Sequence, residues 1–323
     1  MAIITYPSLP AVKVGGMRNR EKRIPLHGSV RFAVTGKTEP IYTRTEAVLL
    51  PDTANVLYIN GKDQPGKPLA RVEQIYRELC RFAEVEGYGF RIDSENVGYP
   101  TGGGLASSAA GSAAACLALY QELRRIMPEF ELSEKDVTRV ARLASSTAVG
   151  SVVGSYAELK VTDDDAWGER IAEPDALKDL EIAVALVKGG EESDKIHAAM
   201  ERSRYKEGRL SFVREALDGV REAVLKGETA RFIGYAHEDT LNFHAAALEK
   251  GIMTFEAQTL PIFRRIQEMV EAKRAVGCSI AGGPTPIVLT TSDEKEYVFG
   301  QLKEVMGDTP LIECRIADRP RHE

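Results

Sequence analysis

The sequence predicts an α+β fold of two adjoining lobes. Three observations carry this expectation. The first hundred residues read mainly as strands, with β-branched and aromatic residues between turn signals. A run of glycines, Gly102, Gly103 and Gly104, leads straight into a long alanine-rich helix. The second half then alternates amphipathic helical segments with short apolar strands.

In order, strands are expected over 2–9, 28–36, 42–50 and 55–61. The period changes at 69–86, where Val72, Ile75, Tyr76, Leu79, Phe82 and Ala83 fall at helical spacing. A strand over 87–96 follows, then the glycine-rich turn and its helix. Ser133, with Asp136 three residues on, has the form of a helix N-cap. Strands are expected over 151–161 and 181–189. Helices are expected near 193–203, 208–226, 228–248 and 255–274. The strands AVGCSIAGG…PIVLTT and PLIECRIA close the chain, with a helix near 293–306 between them. The boundary is expected near 180–190, giving an N-terminal lobe over 1–185 with the glycine-rich loop and a C-terminal α+β lobe over 186–323.

Composition narrows the function classes. The 323 residues, 43% hydrophobic and 28% charged, have ordinary globular composition. A net charge of -6 gives no whole-chain case for nucleic acid, but leaves room for a local basic pocket. No apolar run approaches the roughly 20 residues of a membrane helix, and MAIITYPSLP lacks a secretory pattern. A cytoplasmic protein is expected. Cys80, Cys116, Cys278 and Cys314 form no CxxC pair, and the five histidines no HExxH, so no metal site is expected.

The glycine-rich turn carries the chemistry. Glycines let backbone N–H groups approach an anion, and the helix that follows adds its unpaired N–H groups and positive dipole end. Ser107 and Ser108 add hydroxyl donors. Gly102, Gly103, Gly104, Leu105, Ala106 and Ala109 complete the expected phosphate cradle. It is neither a Walker A loop nor a Rossmann fingerprint. Lys13, in the apolar stretch PAVKV, is a candidate anion ligand. Arg18, Arg20, Lys22 and Arg23 crowd one segment, and Lys67 and Arg71 open the first long helix; arginine forks suit phosphates. Ser193 and His197 fall on one face of an expected helix and are candidate phosphate contacts. His244 reads as a satisfied buried histidine, and Asp163, Asp164 and Asp165 as a solvated turn.

The string PTGGGLASSAA resembles the phosphate-binding motif of GHMP kinases, in the form found in diphosphomevalonate decarboxylases. The likeness extends over nearly the whole chain. PSLPAVKVGGMRNREKRIPLHGSV is similar to NIAVIKYWGKRD…LPINDSLS, STAVGSVVGSYAEL to SGSACRSLFGGFVEW, and SIAGGPTPIVL to TFDAGPNAVLI. The resemblance implies the GHMP-kinase-like two-lobe fold with a cleft between lobes, a small anionic mevalonate-phosphate substrate and a homodimer. It places Lys13 on the substrate side of the site and matches Ser151 to the family serine. PLH near the N-terminus, SDKIH at 193–197 and AHEDT look like an archaeal branch of mevalonate 3-kinase-like proteins.

The departures matter as much. Met17 replaces a family lysine, Gly150 an arginine for the substrate's acidic end, and Ala281 the catalytic aspartate. Family members use ATP to phosphorylate the 3-hydroxyl, after which phosphate and CO2 leave. Ala281 cannot accept a proton. One reading is a kinase that stops at the 3-phosphate, or another ATP-dependent relative using ATP and Mg2+. The preferred reading is a decarboxylase that receives the 3-phosphate preformed and needs no cofactor, similar to mevalonate 3,5-bisphosphate decarboxylase. A binding protein that has lost catalysis fits less well, because drift would be expected to erode the loop.

Overall fold

The computed structural model describes residues 1–101 and 104–323. The chain opens with β1 (Ile3–Thr5), β2 (Ser8–Pro10) and a small ribbon of β3 (Met17–Asn19) and β4 (Ile24–Pro25). Next come β5 (Ser29–Gly36), β6 (Tyr42–Pro51), β7 (Val56–Ile59), β8 (Lys62–Asp63), helix α1 (Lys67–Ala83) and β9 (Tyr88–Val97). Helices α2 (Ser107–Ile126), α3 (Glu134–Arg142) and α4 (Ala148–Val153) precede β10 (Tyr156–Val161), β11 (Ala166–Ala172) and β12 (Leu180–Ala185). The second half runs α5 (Ser193–Arg202), α6 (Lys206–Lys226), α7 (Thr229–Leu248), α8 (Thr259–Glu271), β13 (Val276–Ile280), β14 (Pro286–Thr291), α9 (Lys295–Met306), β15 (Leu311–Ile316) and β16 (Arg321–His322).

Two sheets organise these elements. The first has the order β16-β1-β6-β9-β7-β8. Its one parallel pair among the described residues is β7 with β9, and α1 is the crossover between them. Val72, Ile75, Tyr76, Leu79 and Ala83 of α1 bury against Phe90 and Ile92, as their spacing predicts. Phe82 does not join them; it is exposed, with the Arg81 guanidinium over its ring. The alanines of α2 let that helix sit close to the same sheet, where Thr5 Oγ1 donates to the Ala110 carbonyl at 2.9 Å.

The second sheet has the order β11-β10-β5-β15-β12-β14-β13, with β2 also paired to β5. Both of its faces are covered. In β12, Ile182 and Val184 enter the core built with α6 and α7, while Ala183 and Ala185 enter the core built with α8 and α9. Phe232 of α7 packs edge-on against Phe32 and Tyr156. β5 is buried at every position and pairs with β10 on one side and β15 on the other. The sheet therefore runs through both halves of the chain, and residue 185 is the end of a strand inside it.

Besides the short strands β3, β4, β8 and β16, and the break of the first expected strand into β1 and β2, two longer elements differ from expectation. The valine-rich stretch SVV reads as strand, but it belongs to α4, which buries every one of its residues. Gly154, at φ +72°, and Ser155, at φ 47°, then turn the chain into β10. β11 was not anticipated; its glycine and charges hide a strand that lies at the sheet's edge. Among the described residues, no helix is long and apolar enough to cross a membrane.

Candidate active site

A cavity of about 360 Å³ lies where the two halves meet, a size typical of small-molecule sites. The start of α2, residues 144–147, residues 189–193 with α5, and residues 281–283 form its walls, together with the segment after β2 and β5.

The described part of the glycine-rich loop lies at the cavity. Gly102 and Gly103 lie outside the described residues. Gly104, Ala106, Ser107, Ser108 and Ala109 all line the cavity. Ala106 takes the left-handed conformation (φ 54°, ψ 30°), and its carbonyl accepts from the Ala109 and Ala110 N–H groups at 2.9 and 3.1 Å. Among the described residues, the α2 N-cap makes no side-chain hydrogen bond and the first turn holds no acidic side chain, so the positive end of the helix lies at the cavity. Leu105 does not line the cavity. It is fully buried in the core and anchors the loop from behind, because an apolar side chain between two polar turns finds its partners inside. Gly104, at φ +85°, backs onto another glycine: a Cβ there would stand 3.1 Å from Gly283 Cα. Gly190, at φ +111°, approaches the same residue.

Lys13 lines the cavity but is not a lone cation. Its backbone N–H and its Nζ each donate to Asp239 Oδ2 at 3.0 Å, and Nζ also donates to Thr240 Oγ1 at 2.9 Å. Arg209 approaches the other carboxylate oxygen at 2.6 Å and donates through Nη2 to the Lys13 carbonyl at 3.0 Å. All three side chains are almost wholly buried. Burial pulls the ammonium below its usual range, against the pull of Asp239. Burial would raise the Asp239 carboxyl, but Arg209 and Lys13 outweigh it and hold it down. Among the described residues, two of the three ammonium donors have partners.

A second basic cluster surrounds Asp194 on the first turn of α5. Lys67 lies 2.9 Å from it, Arg71 3.3 Å and Arg23 3.9 Å. Three cations share one carboxylate, and both arginines line the cavity. Burial, then the charge of Arg71, lowers the Arg23 guanidinium. Ser193 and His197 line the same wall. His197 Nδ1 accepts from the Gly16 N–H at 3.2 Å, and burial pushes the imidazole down to about 4.

Two expected ligands stand elsewhere. Arg18 is partly exposed and pairs with Asp163 at the surface, because neighbouring positions of the β3 strand face opposite ways. Arg23 reaches the cavity instead, from a left-handed turn position (φ 48°). Ser151 is buried in α4 and donates to the Tyr6 carbonyl at 2.8 Å, since the helix turns its hydroxyl toward the sheet. Gly150 is packed so tightly that a Cβ would overlap Ser8 Oγ and stand 3.1 Å from Arg31 Cδ. His244 is satisfied as expected: Nε2–H donates to the Ile280 carbonyl at 3.0 Å, and Nδ1 accepts from Thr254 at 2.8 Å. Ala281 lies in the cavity wall beside Gly282 and Gly283.

Comparisons with known proteins identify the family. A family model described as the diphosphomevalonate decarboxylase-like N-terminal domain matches residues 5–169. A phosphomevalonate decarboxylase of Haloferax volcanii is 28% identical over 271 residues, covering 82% of this chain and 79% of that protein. A mevalonate 3-kinase of Thermoplasma acidophilum is 28% identical over 303 residues, covering 91% and 89%. Among solved structures, the Staphylococcus aureus mevalonate diphosphate decarboxylase superposes with a TM-score of 0.87 at 22% identity, covering 99% of this chain and 96% of that one. The mevalonate-3-kinase of T. acidophilum, with mevalonate 3-phosphate and ADP bound, gives 0.82 at 22% identity, covering 100% and 97%. The chain therefore belongs to the diphosphomevalonate decarboxylase-like family, has its GHMP-kinase-like fold, and is an enzyme of the mevalonate decarboxylases and kinases.

Proposed function

We propose that the protein is a carboxy-lyase that converts mevalonate 3,5-bisphosphate to isopentenyl phosphate, CO2 and phosphate without ATP. The observation that carries this reading is Ala281, a small neutral residue in the cavity wall that also holds the phosphate loop. A carboxylate about 4 Å from a phosphate would be repelled by about 4 kcal/mol per unit charge at an effective dielectric of 20. Its absence admits a substrate that already carries the 3-phosphate. The carbon–oxygen bond to that phosphate breaks with its electron pair leaving on phosphate, and the pair of the carboxylate's carbon–carbon bond becomes the alkene. The α2 terminus with Ser107 and Ser108 would take up the leaving charge. The Arg23 and Arg71 pair would hold the 5-phosphate.

A second reading, ATP-dependent phosphorylation or decarboxylation, is favoured by the mevalonate 3-kinase among the relatives and by its structure with ADP bound. Among the described residues no three His, Cys, Asp or Glu side chains gather to hold a metal. Mg2+ in that reading would be carried chiefly by nucleotide phosphates. One experiment separates the two. Purified enzyme is given mevalonate, its 5-phosphate, 5-diphosphate or 3,5-bisphosphate, each with and without ATP and Mg2+. CO2 release from the bisphosphate alone is expected; stoichiometric ADP release on any of them overturns ATP-independence.

Two substitutions test the parts. Ser108→Ala is expected to slow turnover about tenfold to a few hundredfold, the scale of one preorganised donor. Wild-type rates in the Ser107, Ser108 double alanine variant would remove both from the mechanism. Ala281→Asp is expected to weaken bisphosphate binding by a few kcal/mol at most. That penalty should shrink below about pH 5, after correction for the substrate's own titration, as the new carboxylate protonates.

A further inference from the structure

Among the described residues, Arg31 is the cavity-wall cation with no carboxylate in ion-pair range. Lys13 has Asp239, and Arg23 and Arg71 have Asp194. Arg31 projects from β5, an inner strand of the larger sheet, and is 3% exposed, yet it lines the cavity. Its Nε donates to Ser8 Oγ at 3.3 Å, and its Nη2 donates to the Ser8 carbonyl. Both acceptors are neutral. Burial alone pulls the guanidinium down to about 9, with no neighbouring anion to oppose it. The packing of Gly150 against Ser8 Oγ and Arg31 Cδ holds the side chain in this pose.

A guanidinium does not discard its charge at neutral pH, and a buried charge without a counter-ion is unfavourable. The arrangement calls for an anion supplied by the ligand. Phosphates already have two multi-donor sites, the α2 terminus and the cluster around Asp194. Two of the three Arg31 nitrogens are committed to Ser8, and Nη1 has no hydrogen-bond partner among the described residues. One edge beside the Pro10 backbone suits a small planar monoanion better than a phosphate dianion.

We propose that Arg31 binds the substrate's carboxylate, the group that leaves as CO2, and thereby selects acids over neutral or decarboxylated analogues. This rests on the mevalonate-type substrate of the preceding reading and not on its independence of ATP. The test is calorimetric titration of full-length wild type, Arg31→Met and Arg31→Lys with two probes. Mevalonate 5-phosphate carries both anionic groups; isopentenyl phosphate carries the phosphate alone. Arg31→Met is expected to weaken the first at least about 30-fold and the second less than about threefold. Its melting temperature should match or exceed that of wild type, because an unpaired buried charge has gone. If Arg31→Met does not fold, Arg31→Lys decides by the same comparison, with about a tenfold loss expected for the first probe only. Equal losses for both probes, or unchanged binding of mevalonate 5-phosphate, overturn the assignment. ADP release by wild type, which tests the ATP question, leaves this comparison untouched.

Discussion

Replacing Asp239 with alanine is expected to lower stability by about 3–5 kcal/mol, because it strands two buried cations at once. Lys13 and Arg209 both rely on this carboxylate, and neither has another carboxylate within ion-pair distance among the described residues. Asp239→Asn should lose less, since an amide oxygen can still accept from the Lys13 N–H and Nζ. Urea unfolding of both variants measures the difference. A cycle with Lys13→Met separates charge from packing: removing the lysine in the alanine background should restore part of the loss. Simple additivity, or a loss below about 1 kcal/mol, would show that the triad is not a coupled unit.

Acid is expected to unfold this protein before most of its carboxylates titrate. His27 and His197 are pushed down to about 4 and His244 to about 3, in each case first by burial. Neighbouring cations add to the effect: Arg209 near His27, Arg23 near His197 and Lys13 near His244. The folded state keeps these rings neutral, while the unfolded chain protonates them near pH 6.5. Stability from this source is complete above about pH 6.5 and is lost as pH falls toward 4. With three rings the slope reaches about 4 kcal/mol per pH unit, against a total stability of about 5–15 kcal/mol. Urea midpoints between pH 7.5 and 4.5 should drop steeply, and His244→Gln should flatten the slope by about a third. Midpoints that stay level over this range would contradict the neutral-histidine assignment.

The parts of the fold that the sequence makes legible are those where local signals and tertiary packing agree. Ser133 caps α3 by accepting from the Asp136 N–H at 3.1 Å, and the glycine-rich turn opens α2 at Ser107. The misses among the charged residues share one cause: sequence spacing does not say which cation finds which anion. Arg18 and Arg23 come from one basic cluster, yet one meets Asp163 at the surface and the other lines the cavity. Asp239 and Arg31 match no site motif, although each leaves a trace. Asp239 interrupts the apolar face that carries Phe232, Ala236 and Phe243, and Arg31 interrupts a strand buried at every position. A charged residue inside an apolar pattern was the available sign.

The meeting of Gly104, Gly190 and Gly283 has a consequence for how the chain can be divided. Three stretches from distant parts of the sequence touch there through bare backbone. The segment matched by the family model, 5–169, contains the first stretch and neither of the others. It also lacks Asp239 and Arg209, and it would leave Val34, Thr35 and Gly36 of β5 without their β15 partners. That segment is a unit of inheritance, recognisable across distant relatives, but it is not a unit of assembly. The phosphate loop gains its backing wall only when the last quarter of the chain arrives. On a ribosome the site would thus be completed by the final strands to emerge, and a protein cut near residue 170 could recover binding only as a complex of its two pieces.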